Sequence, residues 1–171
     1  MVLEILNMDE NSLTKDEVRK ITEILVHPEV LELDSDYPNH QDFDYLYVEF
    51  LKSYEDRERG RHVGIVARLD GVPVGFLGIH RQGSTRGHVG DVGIAVHPDH
   101  WRKGVGSAML LAGIDIAENI GLTRLEADTL AKNVGMRKLA EKTGFTLEGI
   151  RRKAVNMYGN LVDVALYARI S

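Results

Sequence analysis

The chain has 171 residues, of which 43% are hydrophobic, and it carries a formal net charge of -5 and no cysteine. These values are typical of a single globular domain, residues 1–171, and the absence of thiols excludes disulfides, a cysteine nucleophile and a sulfur-ligated zinc site. The acidic N-terminus lacks the apolar core of a signal peptide, and no stretch reaches about 18 uncharged apolar residues. We therefore expect a cytoplasmic protein that does not enter a membrane.

The charge is unevenly distributed along the chain. Residues 1–60 contain 6 basic and 16 acidic side chains, residues 61–96 contain 4 and 2, and residues 97–171 contain 11 and 8. The excess of acidic side chains in residues 1–60 argues against nucleic-acid binding, which depends on clustered lysine and arginine. It would suit a cationic partner, although charged runs are often only the hydrated faces of helices.

The first half of the chain predicts a strand, two helices and a three-stranded antiparallel meander. The strand is expected over residues 2–8, and the helix after it is capped by Ser12 or Thr14 and ended by His27-Pro28. A second helix is expected over residues 41–58, and Tyr37-Pro38-Asn39 separates the two. The meander comprises residues 62–69, 74–81 and 88–96, with a tight turn at Asp70-Gly71.

After Pro98 the apolar pattern changes from period 2 to period 3.6. It predicts a helix from residue 105 to near 121, a strand over 122–130, a short helix over 133–143, and a final hairpin of 145–157 with 161–170. The complete order is β α α β β β α β α β β. This order indicates an α/β fold with one mixed, mostly antiparallel sheet flanked by helices.

The loop from residue 97 to residue 107 is the segment most suggestive of chemistry. A strand leads into basic Arg102 and Lys103, after which Gly104 and Gly106 open a helix. Glycines let backbone N–H groups approach a ligand, and the helix N-terminus attracts anions, so this segment can hold a pyrophosphate. The alternative is a plain strand-to-helix turn that needs glycine for packing. A dinucleotide fingerprint is disfavoured because Met109 stands where a small residue is needed, and the P-loop pattern is absent.

Three blocks of sequence resemble the GCN5-related N-acetyltransferase superfamily. Residues 101–106, Trp-Arg-Lys-Gly-Val-Gly, resemble its Arg/Gln-x-x-Gly-x-Gly/Ala signature; residues 133–145 resemble its Asn-led helix ending in Gly-Phe; and residues 147–152 with 159–163 resemble its C-terminal hairpin. Residues 88–94 are similar to a subgroup that acetylates free amino acids, small amines or peptide amino groups. The resemblance spans nearly the whole chain and implies the fold and activity of that superfamily.

The resemblance also implies a site for acetyl-CoA. Its diphosphate would bind the backbone of Arg102, Lys103, Gly104, Val105, Gly106 and Ser107, and its pantetheine arm would lie along Ile94, Ala95 and Val96. Asn133 would contact the same arm, although asparagine is also a good helix N-cap by itself. No metal is expected, because the pair His97 and His100 lacks further ligands at suitable spacing.

The chain departs from the superfamily pattern at two positions. Trp101 replaces the first Arg or Gln of the signature, where the backbone is the main contributor. Ala140 stands seven residues after Asn133, where many relatives have a tyrosine that protonates the leaving thiolate. Water or another residue such as Tyr158 would then supply the proton, or the thiolate would leave unaided, because a thiol of pKa about 8.5 is a fair leaving group.

Transfer of an acetyl group to an amine needs a base, and three residues on the neighbouring strands are candidates. Asp91 stands among glycines and valines, where burial would make its carboxylate more basic. Asp128 matches a catalytic glutamate in the branch that acetylates ribosomal-protein N-termini. His88 offers an imidazole, the side chain that most often serves as a general base.

The function predicted is direct acetyl transfer from acetyl-CoA to a primary amine of an amino acid, a small amine, a polyamine or a peptide. The acidic residues expected to attract that amine are Asp34, Asp36, Asp42, Asp44 and Glu49. The alternative is a non-catalytic acyl-CoA-binding or regulatory module, which Ala140 favours. A homodimer through the last hairpin is also an option, because its strands offer an edge.

Overall fold

The computed structural model describes residues 2–8, 13–35, 42–58 and 61–171, and seven strands in these ranges form one sheet. The order across the sheet is β1-β2-β3-β4-β5-β7-β6, and β4 and β5 are the parallel pair among otherwise antiparallel neighbours. The mixed, mostly antiparallel sheet predicted from the sequence is therefore confirmed. The strands are β1 Leu3–Asn7, β2 His62–Leu69, β3 Val72–Arg81, β4 Val89–Val96, β5 Arg124–Leu130, β6 Thr146–Met157 and β7 Asn160–Ile170.

The helices follow the predicted order, with one short addition. They are α1 Lys15–Leu25, α2 Pro28–Leu31, α3 Phe43–Glu58, α4 Val105–Asn119 and α5 Val134–Lys142. The addition is α2: His27-Pro28 ends α1 as predicted, but the His27 ring nitrogen accepts from the Glu29 N–H and Pro28 fits the first helical position, so a new turn begins. No helix within the described residues combines the length and the apolar run needed to cross a membrane.

Local sequence signals account for several boundaries. Thr14 caps α1 in a reciprocal capping box with Glu17, whereas the alternative cap Ser12 and the separator at 37–39 lie outside the described residues. The β2–β3 turn has φ of 49° at Asp70 and 81° at Gly71, as a two-residue hairpin requires. The strand β3 begins at Val72, two residues earlier than predicted, opposite an irregularity in β2 that accommodates Pro73.

Different helices cover the two faces of the sheet. On one face α4 and α5 pack over the main core, which contains Leu77 of β3 and Met109 of α4. On the other face α1 and α3 bury Ile21, Phe50 and Phe76 in a smaller cluster. Side chains of successive strand residues point to opposite faces, so neighbouring positions on β4 and β5 serve different sides of the molecule.

Replacing Gly90 by alanine is expected to lower the free energy of unfolding by about 1–3 kcal/mol through overpacking. A Cβ at this buried position of β4 would lie 2.7 Å from Cγ2 of Ile79 and 2.9 Å from Cδ1 of Leu122. The matched control is Gly93→Ala in the same strand, where a Cβ would meet nothing within 4 Å. Denaturant unfolding of both variants checks this, and equal losses of stability would contradict it.

Candidate active site

The strands β4 and β5 separate partway along the sheet. Their parallel ladder runs from the pair Val89 and Arg124 to the pair Asp91 and Glu126. Beyond these residues, β4 remains paired with β3 as far as Val96, and β5 remains paired with β7 as far as Leu130. Both strands therefore continue while diverging from each other, which leaves a wedge-shaped gap in the sheet.

Two of the three β4 residues predicted to hold the cofactor arm turn their backbone into this gap. The N–H of His97 donates to Val74 O of β3 at 2.8 Å, and the N–H of Gln82 donates to Val89 O of β4 at 2.9 Å. In an antiparallel ladder the direction of backbone bonding alternates, so odd-numbered β4 residues, including Ala95, bond to β3. The backbone groups of Ile94 and Val96 consequently face the gap.

The loop after β4 is held by the indole of Trp101. Its Nε1 donates to the carbonyl oxygen of Val96 at 2.6 Å, and this carbonyl is one of the groups on the open edge of β4. The loop then passes through positive φ at Arg102 (60°) and at Gly104 (86°) before α4 begins. Trp101 thus has a side-chain role in fixing the loop, which its position in the signature did not predict.

The N-cap residue of α4 is Gly104, which has no side chain to accept a hydrogen bond from the first turn of the helix. The first helical bond is donated by the N–H of Ala108 to Gly104 O at 3.0 Å, so the N–H groups of Val105, Gly106 and Ser107 precede the intrahelical ladder. Arg102 and Lys103 are exposed beside them. The backbone donors and the basic residues of the predicted anion site therefore lie together at the start of α4.

Two further positions singled out in the sequence are the N-cap of α5 and a residue within that helix. Asn133 is 7% exposed and its Oδ1 accepts from the Met136 N–H at 3.1 Å, so it is the N-cap that the sequence offered as an alternative role. The cap leaves its amide nitrogen for a second partner. Ala140 is 3% exposed within the main core, which places this departure from the family pattern inside the protein packing.

A cleft of about 430 Å³ opens beside the gap on the face opposite α4. Leu125 and Ala127 pack toward α4, and strand alternation directs Glu126 and Asp128 to the other face, as it directs Asp91 on β4. The cleft is lined by Asp91, Val92, Arg124, Glu126, Asp128, Glu148, Arg151, Leu166 and Tyr167. Both aspartates predicted as catalytic candidates are thus brought together at the gap.

Arg124 of the cleft forms ion pairs with Glu126 and Glu148, and Glu126 is also paired with Arg86, which is not among the lining residues. Arg124 donates to Glu126 at 2.6 Å and to both oxygens of Glu148 at 2.9 and 2.5 Å, while Arg86 donates to Glu126 at 2.7 Å. Partial burial acts to raise the pKa of Glu126, but the hydrogen bonds from Arg124 and Arg86 lower it overall. The hydrogen bond from Arg124 likewise lowers the pKa of Glu148, so both carboxylates are ionised at neutral pH.

Asp91 and His88 differ from what the sequence suggested. Asp91 is exposed, so its expected burial is wrong; its Oδ1 accepts from Gln82 Nε2 at 2.6 Å. His88 is exposed just before β4, its carbonyl accepts from the N–H groups of Thr123 and Arg124, and it is not among the residues lining the cleft. Strand geometry explains this, because three residues separate His88 from the start of the gap.

The other described residues for which the sequence suggested a role do not line the cleft. Tyr158 is 53% exposed in the β6–β7 turn. Asp42 caps α3 and Glu49 forms an ion pair with Lys52, and neither of these two acidic residues lines the cleft. Asp36 lies outside the described residues. The carboxylates of the cleft come instead from β4, β5 and β6, in parts of the sequence whose net charge is positive.

Sequence reasoning missed Arg124, Glu126, Glu148 and Arg151 as cleft residues. Alternation along β5 would have placed Arg124 and Glu126 on the same face as Asp128. The two residues on β6 could not have been found in this way, because their position depends on the register between β6 and β7 and on the pairing of β7 with β5.

Stability is expected to fall more steeply in the wild type than in His100→Gln as the pH is lowered from 7.5 to 5.5. Partial burial, together with Lys103 and His97, lowers the pKa of His100 from its ordinary 6.5. The unfolded chain therefore binds this proton more readily than the folded one, and stability present above pH 6.5 is lost as the pH falls through the lowered pKa. Denaturant unfolding at both pH values checks this, with His88→Gln as the exposed control; equal slopes would contradict it.

Comparison with known proteins shows the family of the chain. A model of the acetyltransferase (GNAT) family matches residues 15–145. An L-amino acid N-acetyltransferase of Escherichia coli (strain K12) is 34% identical over 108 residues, which cover 62% of this chain and 67% of that protein.

Solved structures are similar over almost the whole chain. A Salmonella typhimurium acetyltransferase with its cofactor acetyl-CoA has a TM-score of 0.83 at 23% identity, covering 99% of this chain and 94% of that one. A ribosomal-protein-S5-alanine acetyltransferase from Vibrio fischeri has a TM-score of 0.79 at 16% identity, covering 98% and 92%. At these identities the likeness shows the fold.

Proposed function

The chain belongs to the acetyltransferase (GNAT) family and is an N-acetyltransferase, and we propose that acetyl transfer takes place in the gap between β4 and β5. The observation that supports this proposal is that the two faces of the sheet at the gap differ in charge. An uncapped helix N-terminus with Arg102 and Lys103 lies at the end of β4, whereas a carboxylate-rich cleft opens on the opposite face. An anionic donor and an amine acceptor would each meet complementary charge.

The donor would bind through backbone groups. The N–H groups of Val105, Gly106 and Ser107 would donate to the diphosphate of acetyl-CoA, with Arg102 and Lys103 adding charge around Gly104. The arm would extend along Ile94 and Val96 like an additional strand, and the amide nitrogen of Asn133 would donate to it. The N–H of Val96, which faces the gap, would polarise the thioester carbonyl.

The reaction would be a direct transfer. The neutral amine attacks the thioester carbon, its N–C bond forms, the C–S bond breaks and the CoA thiolate leaves, while the proton lost by the amine passes to a carboxylate. Asp91 is the better base, because its Oδ1 accepts from the neutral amide of Gln82, whereas Asp128 forms an ion pair with Arg151. His88 lies outside the cleft. The thiolate would leave without a side-chain acid, since the alanine at position 140 has no proton to donate.

The proposal is tested by measuring thiol release from acetyl-CoA with a panel of primary amines. Release that depends on both the enzyme and the amine is expected. Binding of CoA without release on any amine would instead favour the alternative of a non-catalytic acyl-CoA-binding module. The acceptor panel should contain amino acids, polyamines and peptides. Amino acids are included because one relative is an L-amino acid N-acetyltransferase, and peptides because one similar structure is a ribosomal-protein-S5-alanine acetyltransferase.

The cellular context is also part of the proposal. The cysteine-free composition suits a cytoplasmic enzyme. A homodimer would use β6, which lies at the edge of the sheet beyond β7 and has mostly exposed residues.

A further inference from the structure

We infer, on the premise of the proposed function, that the acceptor is an α-amino acid whose free carboxylate binds Arg151 while its amine lies at Asp91. This assigns Arg151, for which the sequence suggested no role, as the residue that selects the substrate class. It distinguishes free amino acids from polyamines and from peptide N-termini, all of which carry a suitable primary amine.

The arginines at the cleft differ in how many of their N–H donors are used by carboxylates of the protein, and this comparison identifies Arg151 as the one able to bind a substrate carboxylate. Arg86 donates to Glu126, and Arg124 donates to Glu126 and to both carboxylate oxygens of Glu148. These groups form a closed network in which each cation meets a carboxylate of the protein. Arg124 therefore has little capacity left for a carboxylate of the substrate.

Arg151 is in a different position. Its guanidinium forms an ion pair with Asp128 of β5, yet its side chain is 55% exposed and it lines the cleft. A guanidinium has five N–H donors in a planar fork, so one carboxylate does not saturate it. Asp128 would act as a positioning residue that orients Arg151, and the remaining donors would be directed to a second carboxylate.

The amine end is defined by Asp91. The Asp91 carboxylate accepts a hydrogen bond from the uncharged side chain of Gln82, and this partner does not neutralise its negative charge. Asp91 is level with Glu126 on β5, and Asp128 lies two residues, about 7 Å, farther along that strand on the same face. The separation between the amine site and the Asp128–Arg151 pair suits an ammonium and a carboxylate joined through one carbon.

The same arrangement disfavours other amines. A polyamine would bring a second positive charge toward Arg151, and a peptide N-terminus would present a neutral amide where Arg151 offers charge-assisted hydrogen bonds. The expected result is at least a tenfold higher kcat/KM for L-amino acids than for the matching L-amino acid amides.

The test compares L-amino acids, their amides and dipeptides as acceptors for wild type, Arg151→Gln, Arg151→Lys and Arg152→Gln. Arg151→Gln should abolish the preference for the free carboxylate by raising KM for the acid while leaving acetyl-CoA binding unchanged. Arg151→Lys should retain part of the preference, because it keeps the charge but loses the fork. Arg152 is the neighbouring, exposed arginine and does not line the cleft, so Arg152→Gln should retain the full preference.

Calorimetric binding of the same acceptors to the enzyme with CoA separates this inference from the proposed function. Absence of thiol release with every acceptor, together with carboxylate-dependent binding that Arg151→Gln removes, would overturn the proposed function and support the carboxylate site. Equal turnover of acids and amides by the wild type would overturn the inference and leave acetyl transfer standing. Equal binding of acids and amides would overturn it as well.

Discussion

Replacing Asp91 by asparagine is expected to lower kcat/KM for the acceptor by about a hundredfold, at the lower end of what a general base contributes. Asparagine is nearly isosteric and can keep a hydrogen bond with Gln82, but it cannot accept the amine proton. Rates of thiol release measured from pH 6 to pH 9 check this. The lowered pKa values of Glu126 and Glu148 keep these carboxylates ionised throughout that range, so their titration does not contribute to the profile.

Asp128→Asn provides the comparison for this prediction. Asp128 is paired with Arg151, so its loss should act chiefly on KM for a carboxylate-bearing acceptor and leave kcat closer to wild type. If neither Asp91→Asn nor Asp128→Asn lowers kcat/KM by tenfold, about 1.4 kcal/mol, then both assignments are wrong. The proton would in that case leave through water.

Replacing Ser107 by glutamate is expected to weaken acetyl-CoA binding by tenfold or more, with no loss of stability. Ser107 is the third residue of α4, where an acidic side chain is favourable to the helix dipole. The same negative charge would occupy the N-terminus at which the diphosphate is proposed to bind. The variant therefore separates anion binding from folding, which most changes in this loop would disturb together.

Ser107→Ala is the matched control, because it removes the hydroxyl without adding charge. It should bind acetyl-CoA within about threefold of wild type if backbone N–H groups are the main contributors. Calorimetric titration with acetyl-CoA and thermal unfolding of both variants provide the measurements. Unchanged affinity in Ser107→Glu would place the diphosphate elsewhere.

Local signals predicted most of the elements because each rests on a few adjacent residues. Asp70-Gly71 predicts its hairpin through the positive φ values that both residues adopt, and Thr14 with Glu17 predicts the start of α1. The missed helix α2 depends on His27 accepting a backbone hydrogen bond, a less common capping residue than Ser, Thr, Asp or Asn.

The candidate site was predictable in part. The loop at 102–107 is contiguous, so its glycines and basic residues could be identified together, and the α4 N-terminus is arranged as expected. The exposure of Asp91 and the contact of Trp101 with Val96 were not predictable, because each depends on which elements cover that part of the sheet.

The sequence by itself determined the order of elements, the family and the position of the loop that we propose binds the diphosphate, since all three are encoded in local patterns of apolar residues, glycines and charges. Only the tertiary structure decided which residues line the cleft that we propose binds the acceptor. Asp91, Asp128 and Arg151 come from β4, β5 and β6, and the divergence of β4 from β5 together with the register of β6 on β7 brings them to one cleft. Strand pairing of this kind is a long-range interaction, and no stretch of neighbouring residues specifies it.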